Sequence, residues 1–235
     1  PFSRLLSLPL LAATLLLAAC SSGAKEARAP APPPPPPAYG YPPTAVPDAP
    51  LQPFTGYRLP VNGTWRVQRT HYGNTHDQGY AIDIVIPAPD GSYHTGSGRL
   101  NTDFPSFNQP VLADAPGVIA VVVDGVPNNN PPTINGYDQH GNYVIIDHRN
   151  GEFSLMAHIV PGSFRVRVGQ TVAMGQELGL CGNSGQTTNP HIHWQVMDNV
   201  NPQLAHAVAP RYLPYLRNGM MTTDPPDKGD ILVPR

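Results

Sequence analysis

The sequence predicts a mainly β domain built from antiparallel sheets, with long loops walling a groove. Three observations carry that reading. From about Phe54 onward, short apolar runs rich in valine, isoleucine and aromatics alternate with clusters of Gly, Pro, Asn and Asp. No stretch keeps the apolar period of a long amphipathic helix. The 31 prolines crowd towards the start, which sets the first fifty or so residues apart from the rest.

In chain order, the first element is an apolar run, Leu5 to Ala19, preceded by a single charge at Arg4. It falls short of the roughly 20 residues that span a bilayer, so 1–19 reads as a signal peptide. The run ends in "LAAC", which resembles the lipobox of bacterial lipoproteins. That resemblance implies a lipid on Cys20 and a membrane anchor. It implies a periplasm-facing lipoprotein of the cell envelope, in the outer membrane where the cell has one. Residues 20–53 follow as the lipidated cysteine and a proline-rich tether. This segment has no apolar periodicity with which to bury a core. In polyproline II geometry it extends about 3.1 Å per residue, enough to hold a domain several tens of Å from the membrane.

Residues 54–235 form the predicted domain. "YAIDIVI", "GVIAVVVDGV", "NYVIIDH", "EFSLMAHIV" and "HIHWQVM" each suit a strand bounded by turn residues. Val126 to Asn142 and Pro89 to Pro110 are long and rich in breakers, so both read as surface loops. "VRVGQTVAMGQELG" resembles the hairpins of barrel-sandwich carrier domains. A carrier needs a lysine at the hairpin tip, and no lysine lies between Lys25 and Lys228. The carrier class is therefore excluded. A net charge of −2 excludes a nucleic-acid footprint. With Cys20 lipidated, Cys181 has no partner for a disulfide and reads as a small buried apolar residue.

The chemistry lies in the histidines. Strand side chains alternate faces. His191, His193 and Gln195 therefore share one face of "HIHWQVM", and Ile192, Trp194 and Val196 share the other. Two imidazoles on one face suit a metal, and carboxylate can complete the set. Asp83 breaks an otherwise apolar strand, where an ionised carboxylate needs a partner or a metal. His76 precedes it, and His158 ends another predicted strand.

"YAID", "GNYVIID", "AHIVPGS", "VGQTVAMGQELG" and "CGNSGQTTNPHIHWQVMD", in that order, are similar to the zinc metallopeptidases of the lysostaphin/LytM type, which cut peptide bridges in peptidoglycan. "RYLPYLRNG" and "DKGDILVP" give a weaker echo. The resemblance implies a β scaffold related to barrel-sandwich hairpins. It implies one zinc ion held by His76, Asp83 and His193. It places His191 and His158 beside the metal-bound water as general base and transition-state stabiliser. Asn142, Asn183 and Ser184 lie in motifs that border the family's groove, although turn formation accounts for them equally well. The common pattern, H-x-G-x-D, sets the aspartate four residues after the histidine, whereas here Asp83 follows His76 by seven. His71 is the alternative ligand, and His76 is preferred as the nearer. Trp194 stands where the family often has Phe, on the core face.

The implied function is zinc-dependent hydrolysis of peptide bonds in peptidoglycan stems or cross-links. The implied partners are peptidoglycan peptides and the membrane, and a regulatory protein is left unidentified. The alternative is a catalytically silent relative that binds peptidoglycan or activates another hydrolase. Of the remaining histidines, His148 reads as a hydrogen-bonded structural residue and His140 as a loop residue near the groove. His94 and His206 read as exposed.

Overall fold

The five apolar runs form strands because each keeps β-branched residues on a pleated, buried surface. In the computed structural model, Phe54 and residues 56–73, 76–136 and 138–235 are described, apart from the side chain of His76. The predicted signal peptide, Cys20 and the tether to residue 53 lie outside the described residues. The predicted runs become β2 (Ile82–Val85), β4 (Gly117–Val123), β5 (Tyr143–Asp147), β6 (Phe153–Ala157) and β9 (Ile192–Met197). Further strands complete the set: β1 (Trp65–Thr70), β3 (Pro110–Leu112), β7 (Thr171–Val172), β8 (Glu177–Leu180), β10 (Tyr215–Arg217), β11 (Met220–Thr222) and β12 (Ile231–Pro234). Among the described residues no helix is long and apolar enough to cross a membrane.

Ten strands make one antiparallel sheet in the order β11-β10-β12-β1-β2-β9-β6-β5-β4-β7, and β3 pairs with β8 in a second, two-stranded sheet. The fold is mainly β, as predicted. One local expectation changes. "VRVGQTVAMGQELG" supplies β7 and β8, but they do not pair with each other. β7 adds to β4, while β8 crosses to β3. A tight turn, with Gln176 N donating to Ala173 O at 3.1 Å, redirects the chain from one sheet to the other. The echo segments near the end contain β10 and β12, which pair with each other, and β12 also pairs with β1.

The main core lies on one face of the large sheet. Trp65, Val67, Ile82, Ile84, Ile192, Trp194 and Val196 meet Val111 and Leu178 of the small sheet and the adjoining Ala113. Full burial of each larger side chain contributes roughly 1.5–3 kcal/mol before entropic costs. A smaller cluster, with Val121, Ile145, Leu155 and Met197, covers part of the opposite face.

Behind β9 the core holds a polar knot. Trp194 Nε1 donates to Asp114 Oδ2 at 2.7 Å, and Ser154 Oγ donates to Asp114 Oδ1 at 2.8 Å. His148 Nδ1 donates to the carbonyl of Pro116 at 2.9 Å, and its Nε2 lies 2.8 Å from Ser154 Oγ. Burial pushes the Asp114 carboxyl up. His148 is thus a hydrogen-bonded structural residue. His206 is exposed, whereas His94 is half-buried against Phe104. Cys181 is buried in the core, and burial pushes its thiol up.

Candidate metal centre

The site follows from strand register. β9 runs between β2 and β6, with His193 opposite Asp83 on one side and Ala157 on the other. Directly opposed residues share a face and approach closely, so Asp83 and His193 must meet. On the far side of β2, Arg69 of β1 opposes Asp83, after a register shift between Val67 and Arg69. His71 continues the same face two residues on, and its amide N donates to Ala81 O at 2.9 Å.

The three side chains converge. His71 Nε2 lies 3.0 Å from Asp83 Oδ2, and His193 Nδ1 lies 2.8 Å from Asp83 Oδ1. One ligand atom from each of His71, Asp83 and His193 lies within 4.8 Å of the others, and all three residues are buried. Two imidazole nitrogens and a carboxylate oxygen are a donor set suited to zinc, so the residues fit that ion. His71 Nδ1 is buried without a hydrogen-bond partner.

Burial alone would raise the Asp83 carboxyl. The facing His191, and the hydrogen bonds of His193 and His71, instead hold it well below the usual carboxylate range. Burial depresses His193, but its bond to Asp83 outweighs this and raises it.

Two more imidazoles border the three. His191 Nδ1 lies 2.9 Å from Asn189 O, and its Nε2 lies 3.7 Å from Asp83 Oδ1. His158 Nδ1 lies 2.8 Å from Ser184 O. A carbonyl oxygen only accepts, so both rings carry a proton on Nδ1. In the neutral form that leaves Nε2 bare. Burial, reinforced by the neighbouring histidines, pushes His158 well below its ordinary value, and burial lowers His191. The two rings lie 4.6 Å apart. His158 has a φ of 65°, in the left-handed region that a residue with a Cβ rarely adopts.

His71, Asp83, His158, His191 and His193 line a cavity of about 670 Å³. Its walls include Gln68 and Arg69 of β1, Ile134 and His140 of the 126–142 loop, Thr187 to Asn189, and Lys228. Burial, and the nearby His193, push His140 down to about 3.

The sequence-predicted residues sort as follows. Asp83, His193, His191 and His158 come together. His76 opens a 3-10 helix, His76–Gln78, and its side chain lies outside the described residues. Among the described residues, His71 is the third member, with Asp83 and His193, of a group that could hold a metal ion. Asn142, Asn183 and Ser184 are wholly buried and do not line the cavity. Their polar groups hold backbone instead. The Asn142 amide donates to Val126 O and Ile159 O, and Ser184 Oγ donates to Ile159 O. Asn183 Nδ2 donates to Asn129 O, and also to the side chain of Asn101 at Oδ1. The groove cations Arg69 and Lys228 escaped sequence reading, since Arg69 sits in no motif and Lys228 only in the weak echo "DKGDILVP".

The chain is similar to known peptidases. The model of Peptidase family M23 matches residues 100–204. Peptidoglycan DD-endopeptidase ShyA of Vibrio cholerae is 32% identical over 146 residues, which cover 62% of this chain and 28% of that protein. The DD-carboxypeptidase/endopeptidase Mpg of Neisseria meningitidis is 31% identical over 149 residues, covering 63% of this chain and 24% of that protein. The alignments thus span about a quarter of the length of these relatives. Among solved structures, lysostaphin from Staphylococcus simulans matches 57% of this chain and 45% of its own, at 20% identity and a TM-score of 0.36.

Proposed function

The chain carries a domain of peptidase family M23, and from that premise we propose that it is a zinc-dependent endopeptidase acting on peptide bonds in peptidoglycan stems or cross-links. The convergence of His71 Nε2, Asp83 and His193 Nδ1 beside a cavity that two further buried imidazoles also line carries the reading. His71, Asp83 and His193 would hold the zinc ion, with His71 taking the place that sequence spacing assigned to His76. When bound, zinc would supply Lewis acidity, acidifying a water and polarising a carbonyl.

The protein's own groups do the rest. His191 accepts a proton at Nε2, because its Nδ1 proton is committed to Asn189 O. Its burial keeps it neutral at the start of the cycle. His158, fixed by Ser184 O, offers a second ring beside it. Once protonated, either ring can donate to a developing oxyanion or to the leaving amine. Arg69 and Lys228 line the same groove, so it suits a peptide that bears free carboxylates.

A peptidoglycan substrate draws support from the relatives named as peptidoglycan DD-endopeptidases. The cell envelope is the corresponding location, and a lipid on Cys20 would anchor the domain there. The test uses purified protein on peptidoglycan sacculi, with and without a chelator. Zinc-loaded protein should release cleaved peptides, and the chelator should stop the release. Binding to sacculi with no cleavage by zinc-loaded protein would sink the enzyme reading in favour of a silent, hydrolase-activating relative.

A further inference from the structure

The extra length between His71 and Asp83 folds in part as the 3-10 helix His76–Gln78, and its middle residue reaches β9. Gln195 Nε2 donates to Asp77 Oδ2 at 3.1 Å and lies 3.4 Å from Met197 Sδ. A carboxylate and a thioether offer no proton, so the amide nitrogen belongs on that side. The amide oxygen therefore faces His193, 2.8 Å from Nε2. An amide oxygen only accepts, so His193 Nε2 carries a proton. The lone pair is then left for Nδ1, the nitrogen beside Asp83. Gln195 and His193 are buried, and Asp77 is half-buried at the outer end.

We propose that Gln195, itself aimed by Asp77, is a positioning residue that fixes the tautomer and ring orientation of His193 for metal binding. The segment between His71 and Asp83 thereby does more than span a gap. It supplies Asp77, the outer end of a chain that runs Asp77–Gln195–His193. Outer partners of this kind orient a metal-binding imidazole and raise its basicity. The inference rests on the metal-centre reading above and goes beyond it, since neither residue touches the metal position or the substrate.

The measurement is zinc affinity of the full chain, by competition with a chromogenic chelator, alongside the melting temperature of the metal-free protein. Gln195→Met keeps the volume and removes the acceptor. Its zinc affinity should fall about 10–100-fold. The double exchange D77N/Q195E reverses the outer bond: the amide at position 77 donates, and the carboxylate at position 195 still accepts from His193. It should return affinity to within about threefold of wild type. Wild-type affinity in Gln195→Met would overturn the proposal. So would a folded D77N/Q195E protein that binds as weakly as Gln195→Met, because Gln195 would then serve packing alone. Where Gln195→Met does not fold, Asp77→Ala takes its place, and unchanged affinity there overturns the proposal equally. A wild-type chain that binds no zinc overturns the metal-centre reading and this inference together. Zinc binding that ignores Gln195 removes only the inference.

Discussion

His71 and His76 compete for one role, and single substitutions separate them. His71→Ala should cost roughly 100-fold or more in zinc affinity, since losing a ligand exceeds the loss of an outer partner. His76→Ala should leave affinity near wild type. The opposite pattern in chelator competition would restore the assignment read from spacing. His191 makes a different prediction. It sits 3.7 Å from Asp83 Oδ1, and its Nδ1 is tied to Asn189 O. His191→Ala should keep zinc and lose about 10²–10⁴-fold in turnover, the range for a general base. Zinc lost together with turnover would mark His191 as a ligand instead.

At the scale of elements, two contacts hold the site's supports. Gly141 has a φ of 59°, and a Cβ there would run into the backbone of Ser184. Gly141→Ala should therefore part the 126–142 loop from the Ser184 loop, costing about 1–3 kcal/mol in urea unfolding. Trp194→Phe should cost about 1–3 kcal/mol, because buried Asp114 loses the indole N–H. Zinc affinity should stay as it was, since Trp194 faces the core. The strands β2, β4, β5, β6 and β9 were legible because each reads as a compact Val/Ile-rich run. β1 was not, because "WRVQRT" mixes Arg and Gln into its pattern. That gap also left His71 ranked behind His76, because its approach to Asp83 depends on β1 pairing with β2 through a register shift. His191 and His193 were legible from a period of two, and Asp83 from a charge inside an apolar run. The left-handed backbone of His158 left no trace in composition. Asn142, Asn183 and Ser184 were visible as turn-forming residues, but only tertiary contacts show their polar atoms spent on buried backbone.

At the scale of the whole molecule, buried histidines set the acid response. His140, His158 and His191 are all pushed down, so the folded chain resists protons that the unfolded chain accepts near pH 6.5. Stability should therefore fall as pH drops below about 6.5, by about 1.4 kcal/mol per pH unit for each such histidine that is fully engaged. His193 is raised, so its contribution is present below about 6.5 and is lost as pH rises through its folded value. Asp83 is lowered, so its contribution stands above about pH 3.8 and is intact throughout this window. Three lowered groups outweigh one raised group. The melting temperature of metal-free protein should fall between pH 7 and pH 5, and a rise would refute the balance. The opposed pairing of Asp83 with His193 has one more consequence. Sliding β9 by one residue would turn His193 inward and swing Trp194 out into the groove. A nascent chain caught in that misalignment would lose its indole anchor and its capacity for zinc at once. With zinc held as proposed, metal capture would favour only chains whose β9 has seated in step with both neighbours.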